Sequence, residues 1–171
     1  EARIFNVREV HVGDAQPLNE QVNNRDKATC PYYFTRSHMR ALKIYEVNPI
    51  YVKYLSSFQE HIFISDGEKS SRKYIGIILE VNGYKYFAPL SSFKPKHAKM
   101  AEGVDYIKIK DYAVININNM IPVPEGQYRL VDINGTKDPS YKFLLQAENR
   151  EINRQKNRLL KNADIVYKVA L

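Results

Sequence analysis

Apolar and polar positions change rhythm several times along this chain, and each change marks a predicted element. Lys43-Ile44-Tyr45-Glu46-Val47 predicts a short strand. Asn48 then offers a capping side chain and Pro49 suits a first helical turn, so a helix is expected to start there. Val52, Leu55 and Phe58 or Gln59 recur at helical spacing and supply its buried stripe. A polar loop at 65–72 leads into the clearest signal, two apolar β-rich runs joined by Asn82-Gly83. Both turn residues tolerate the positive φ of a type I′ turn, so 74–97 reads as a hairpin whose second strand is expected to stop at Pro89.

Farther on, 106–109 and 112–117 read as strands, the first alternating as Tyr-Ile-Lys-Ile-Lys. Short apolar pieces at 120–123 and 130–133 are bounded by Pro and Gly. Asp138-Pro139 repeats the cap-plus-proline signature and predicts one long helix reaching residue 162 or beyond. A mixed, mostly antiparallel sheet packed by helices follows, an α+β fold. Residues 1–42 are polar and weakly periodic, with 30–34 as their only apolar knot, and Ser37-His38-Met39 resembles a cloning remnant before an initiator methionine. The expected organisation is an amino-terminal extension, or a segment carried over from cloning, over 1–42 and one domain over 43–171.

Composition narrows the function. The net charge is +7 and there are 13 tyrosines, a pairing that suits a polyanion with unstacked bases, although many small basic proteins bind no nucleic acid. The lone Cys30 forms no internal disulfide and completes no zinc cluster. No apolar run is long enough to span a bilayer and no secretory leader opens the chain, so a cytoplasmic protein is expected.

Ser91, Ser92, Lys94, Lys96 and His97 cluster after the hairpin, with no Asp or Glu between Val81 and Ala101. Cutting RNA without a metal requires a base for the 2′-hydroxyl, donors for the charge developing on phosphorus, and a proton for the leaving 5′-oxygen. These residue types can share that work and favour phosphate over metal. Each also has a plainer use: serines turn chains, lysines solvate surfaces, His97 lacks a visible partner, Tyr51 can simply pack, and Arg72 and Lys73 can guard the entry to an apolar strand. Arg150, Arg154 and Arg158 recur every four residues, with Lys161 near the end, and form a ridge that either grips a phosphate backbone or is a solvated face offset by Glu148 and Glu151.

The order of the pieces adds a further reading. Lys43–Val47, Tyr51-Val52-Lys53-Tyr54-Leu55, Arg72-Lys73-Tyr74-Ile75-Gly76-Ile77, Asn82-Gly83, Tyr86-Phe87-Ala88-Pro89-Leu90-Ser91-Ser92-Phe93-Lys94 and Asn118-Asn119-Met120-Ile121-Pro122-Val123 together resemble the ToxN/AbiQ family, the protein toxins of type III toxin–antitoxin systems. The resemblance implies a compact, barrel-like antiparallel sheet with surrounding helices, as in the MazF and Kid toxins. It implies a metal-independent endoribonuclease without cofactor, leaving 2′,3′-cyclic phosphate and 5′-hydroxyl ends on cellular or phage RNA. The implied inhibitor is a small pseudoknot RNA antitoxin cut from a repeat precursor, held with the toxin in a ring-like assembly, and release of the toxin arrests growth or aborts phage infection.

By the same resemblance Ser92 matches the active-site serine, Ser91 the hydroxyl residue before it, Lys94 the lysine two places later, Tyr51 a helix tyrosine, and Arg72 the basic residue before the hairpin. Ser92 is then expected to orient the 2′-hydroxyl or the phosphate, Lys94 and Arg72 to stabilise the phosphorane, and Tyr51 to hold the phosphate. His97 enters from chemistry alone, as a proton carrier. Lys73, Lys96, Arg150, Arg154, Arg158 and Lys161 are the expected RNA-binding cations. Family members begin near the Lys43 strand and are expected to carry further chain beyond the position of Leu171. The competing readings are a non-catalytic basic RNA-binding protein and an interaction domain whose basic face meets an acidic protein.

Overall fold

A computed structural model describes residues 40–58, 62 and 72–170 of the chain. The segment 1–39, residue Gln59 and the loop at 65–71 lie outside the described residues. Strand β1 (Lys43–Val47) leads into helix α1 (Pro49–Ser56), where the Asn48 side chain accepts the Ile50 N–H at 3.0 Å and Pro49 opens the first turn. Both features were legible, because a cap oxygen satisfies an amide that the helix itself leaves open. Val52 and Leu55 are buried as expected, but Phe58 lies beyond the helix end, exposed and edge-on to Tyr54 with ring centroids 5.0 Å apart.

The hairpin joins β2 (Lys73–Val81) to β3 (Tyr84–Ser92) through Asn82 at φ 50° and Gly83 at φ 80°, the left-handed pair of a type I′ turn. One expectation fails here, because β3 does not stop at Pro89. Tyr86 and Phe87 pair with β6 (Ile121–Pro122), whereas Leu90, Ser91 and Ser92 pair with β5 (Ala113–Asn116). Pro89 falls between the two registers, where its missing N–H breaks no ladder. The hairpin register slips between Ile75 and Leu79, and Gly76 lies within that slip. A Cβ on Gly76 would lie 2.3 Å from two Phe87 ring carbons, so the close approach of strand and ring requires glycine.

Helix α2 (Pro95–Lys99) and strand β4 (Tyr106–Ile109) follow, with β5, a 3-10 turn (Ile117–Asn119), β6 and β7 (Tyr128–Leu130) after them. The strands form one antiparallel sheet in the order β4-β5-β3-β2-β1-β7, with β6 against β3. Alternation divides its side chains. Tyr86, Ala88 and Leu90 join Ile44, Ile75, Ile107 and Ile115 in a core covered by Leu145, Ile152, Leu159 and Leu160 of the final helices. Phe87 and Tyr74 turn the other way, onto Val52 and Leu55 of α1. Each fully buried aliphatic or aromatic side chain stabilises the fold by about 1.5–3 kcal/mol, so both faces contribute.

The carboxyl-terminal helix is two helices, not one. Asp138 caps α3 (Pro139–Arg154) through the N–H groups of Ser140 and Tyr141, at 2.9 and 3.2 Å, as the signature predicts. The helix then breaks at Gln155 and resumes as α4 (Lys156–Val169). Polar side chains at the break serve other backbones: Asn153 accepts the Leu42 N–H and donates to the Leu42 carbonyl, both at 2.9 Å, and Gln155 donates to the Lys108 carbonyl at 3.1 Å. Tertiary bonds of this kind outweigh the local preference for one continuous helix. Among the described residues no helix is long and apolar enough to cross a membrane.

Candidate active site

The candidate site residues begin at the carboxyl end of β3. Ser91 and Ser92 face Val114 and Ala113 of β5, and the Phe93 N–H donates to the Tyr112 carbonyl at 3.1 Å, which anchors the strand end. Ser91 is half-buried and Ser92 exposed. On the other side Lys73 is opposite Leu90, so continuing that register sets Arg72 beside Ser91. Arg72 shares the parity of Tyr74, whose hydroxyl pKa is raised by burial and opposed by the Arg72 charge. Arg72 and Ser91 thus share one face of the strand end, while Ser92 alternates to the other face.

Lys94 follows in extended backbone, φ −127° and ψ 157°, as the cap of α2. Its ammonium end is exposed, as is that of Lys96. Its backbone is held from below: the Lys94 N–H donates to Nδ1 of His97 at 3.0 Å, and the His97 N–H donates to the Lys94 carbonyl at 2.8 Å. The imidazole is buried, edge-on to Phe93 at 5.7 Å and to Tyr106 at 6.3 Å between ring centroids. Its pKa is lowered, first by desolvation and then by Lys96, Lys94 and Lys108. Lys73, by contrast, is engaged: it bridges to Glu46, which also holds Arg129 Nη2 at 2.5 Å.

Tyr51 is not brought to the serines. Its hydroxyl donates to the Pro122 carbonyl at 2.8 Å, and Pro122 pairs with Tyr86 near the hairpin turn. Ser92 lies six residues farther along β3, about 20 Å at a strand's rise of ~3.3 Å per residue. Burial also pushes the Tyr51 pKa up to about 12, so the group keeps its proton and acts as a strut between α1 and β6.

The arginine ridge is divided by the break at Gln155, with Arg150 and Arg154 on α3 and Arg158 and Lys161 on α4. All four are exposed. Arg154 pairs with Glu151 and Arg158 with Glu102, each at 3.3 Å. Pairs with an exposed guanidinium contribute about 0–1 kcal/mol, so these two are weak. Glu148 offsets nothing on that face, because it is buried.

Lys108 is a cation that reading the sequence passed over. Its Nζ donates to the Ala98 carbonyl at 3.1 Å and its N–H to Glu102 at 2.8 Å, which joins β4 to the chain around α2. The alternation of β4 shows that Lys108 points away from the core, but not what it meets. Among the described residues no three His, Cys, Asp or Glu side chains gather to hold a metal ion.

The chain is similar to known proteins in sequence and in fold. A family model described as the toxin ToxN of type III toxin–antitoxin systems matches residues 43–171. The endoribonuclease ToxN of Bacillus thuringiensis subsp. kurstaki is 29% identical over 130 residues, covering 74% of this chain and 67% of that protein. The endoribonuclease ToxN of Pectobacterium atrosepticum is 27% identical over 140 residues, covering 76% and 82%. Two solved structures share the fold. One, from a bacterial antiviral system regulated by a processed non-coding RNA, has a TM-score of 0.68 and 26% identity, covering 74% of this chain and 85% of its own. The other, from a type III system whose toxin is inhibited by a non-coding RNA pseudoknot, has a TM-score of 0.66 and 27% identity, covering 75% and 79%.

Proposed function

Because the chain belongs to the ToxN family of type III toxin–antitoxin toxins, we propose that it is an endoribonuclease that cleaves RNA at the carboxyl end of β3. The observation that supports this reading is that Ser91 and Ser92 end β3 and Lys94 follows two residues on, with Arg72 set beside Ser91 by continuation of the β2 register. RNA supplies its own nucleophile, so the protein's task is to hold the phosphodiester and receive charge. Ser92 orients the 2′-hydroxyl against the scissile phosphate, with Ser91 as a second donor. Lys94 and Arg72 stabilise the charge that develops on the non-bridging oxygens, the kind of preorganised stabilisation that dominates phosphoryl chemistry. The products are a 2′,3′-cyclic phosphate and a 5′-hydroxyl, and no metal ion takes part.

Lys96, Arg150 and Lys161 approach the RNA backbone directly, while Lys73, Arg154 and Arg158 do so by exchanging carboxylate partners. The inhibitor is a pseudoknot RNA antitoxin that occupies the same basic surface, in a ring-like assembly with the toxin, and the targets are cellular or phage RNAs in the cytoplasm. The toxin unit is 43–171. Tyr51 has no part in the chemistry.

The test is cleavage of labelled RNA carrying tandem antitoxin repeats, in EDTA, by wild type and Ser92→Ala. Cyclic-phosphate ends from wild type, with intact RNA still bound by the variant, support the reading. Tight, salt-sensitive binding without cleavage by folded wild type replaces it with the non-catalytic RNA-binding protein.

A further inference from the structure

We propose that His97 is a positioning residue that fixes the backbone of Lys94, and thereby its ammonium, and is not a proton carrier. This rests on the ribonuclease reading above and specifies how the phosphate-binding lysine is held.

The last anchor of β3 is the Phe93 N–H on the Tyr112 carbonyl. One residue later the chain leaves the sheet, and Pro95 has no N–H with which to bond. Lys94 is then held by its own two backbone groups, and both are bonded to His97: the N–H to Nδ1 at 3.0 Å and the carbonyl to the His97 N–H at 2.8 Å. A side chain at the third helical position accepting the cap residue's N–H is one half of a capping box, a place usually filled by Glu or Gln. Here an imidazole fills it.

The ring is committed to that contact. Phe93 and Tyr106 pack edge-on against it, and only 7% of the residue is exposed. Accepting the Lys94 N–H requires Nδ1 to be bare, which assigns the ring's proton to Nε2. Protonating Nδ1 would set two donors against each other. Glu102, the carboxylate beside Tyr106, is itself paired to Arg158, and Lys94 and Lys96 from the α2 side and Lys108 from β4 all oppose a positive charge on the ring. Burial adds to their effect. A neutral ring with its acceptor nitrogen occupied supports a lysine well and shuttles protons poorly.

The experiment compares His97→Ala with His97→Asn in single-turnover cleavage. Asparagine Oδ1 stands where Nδ1 does, so it retains the acceptor without a titrating proton. The expected result is a loss of about 10²-fold in cleavage rate for His97→Ala, the scale of a misplaced catalytic group. Substrate affinity changes little, His97→Asn recovers most of the rate, and the pH–rate profile of His97→Asn keeps the wild-type shape. Thermal melts confirm that both variants fold. If wild type cleaves but Asn is as slow as Ala, or if Asn loses a limb of the pH profile, His97 carries a proton and the inference is overturned. Wild-type rates in both variants overturn it as well. A wild type that cuts no RNA overturns the ribonuclease reading itself, a result distinct from either of these.

Discussion

Glu148→Gln is expected to stabilise this protein at pH 8 and to leave it nearly unaltered at pH 5. Glu148 lies on the inner face of α3, one turn from both Leu145 and Ile152, and is 5% exposed. Desolvation pushes its pKa from 4.5 to about 7. In the unfolded chain the carboxyl ionises near 4.5, so between 4.5 and 7 the native state binds a proton that the unfolded state has released. Stability therefore falls as pH rises through that window, the opposite of a salt-bridged carboxylate. A shift of roughly 2.5 units at ~1.4 kcal/mol each corresponds to a loss on the order of 3 kcal/mol by pH 8. An amide of the same shape has nothing to ionise. The gain from Glu148→Gln at pH 8 minus that at pH 5 cancels effects of the amide itself and should be about 2.5 kcal/mol, because part of the loss has already occurred by pH 5. For a chain of this size that is a difference of about 5–10 °C in Tm. Urea or thermal denaturation of both proteins at the two pH values measures it. An equal ΔΔG at pH 5 and pH 8 would contradict this, since Glu148 would then titrate as it does in the unfolded chain.

Two further outcomes follow from the packing. Tyr51→Phe removes the bond to the Pro122 carbonyl and should cost about 0.5–1.5 kcal/mol in urea denaturation while RNA cleavage stays at the wild-type rate; lost cleavage with unchanged stability would return Tyr51 to the active site. Gly76→Ala drives a methyl into the Phe87 ring and should destabilise by about 1–3 kcal/mol or more, read as a lower Tm, and an unchanged Tm would show that the ring swings aside freely.

Much of the fold was legible because its signals are local. Asn82-Gly83, Asn48-Pro49 and Asp138-Pro139 each fix a turn or cap through the conformations of one or two residues, and the structure keeps all three. What failed depended on partners distant in sequence. Pro89 is tolerated because β5 and β6 divide the pairing on its flank, which no reading of β3 alone reveals. The helix break at Gln155 depends on where Leu42 and Lys108 offer backbone groups. Glu148 has the composition of a solvated helix face, and its burial becomes visible only once α3 is docked. For the candidate site, the family resemblance singled out the serines, Lys94 and Tyr51 alike, and only the structure shows that Tyr51 lies at the other end of β3. The bond of His97 did leave a trace: Pro95 at the first helical position puts His97 two residues later, where a side chain can reach back to the cap.

The bonds between Asn153 and Leu42 join positions 111 residues apart, so strand β1 is tied down by an element made much later. Synthesis runs from the amino end, and strands β1 to β7 are complete before α3 and α4 exist to cover Ile44, Ile75 and Ile107. A nascent or prematurely terminated chain therefore presents a sheet with one bare apolar face and an untied first strand. Such a product is a substrate for chaperones and proteases.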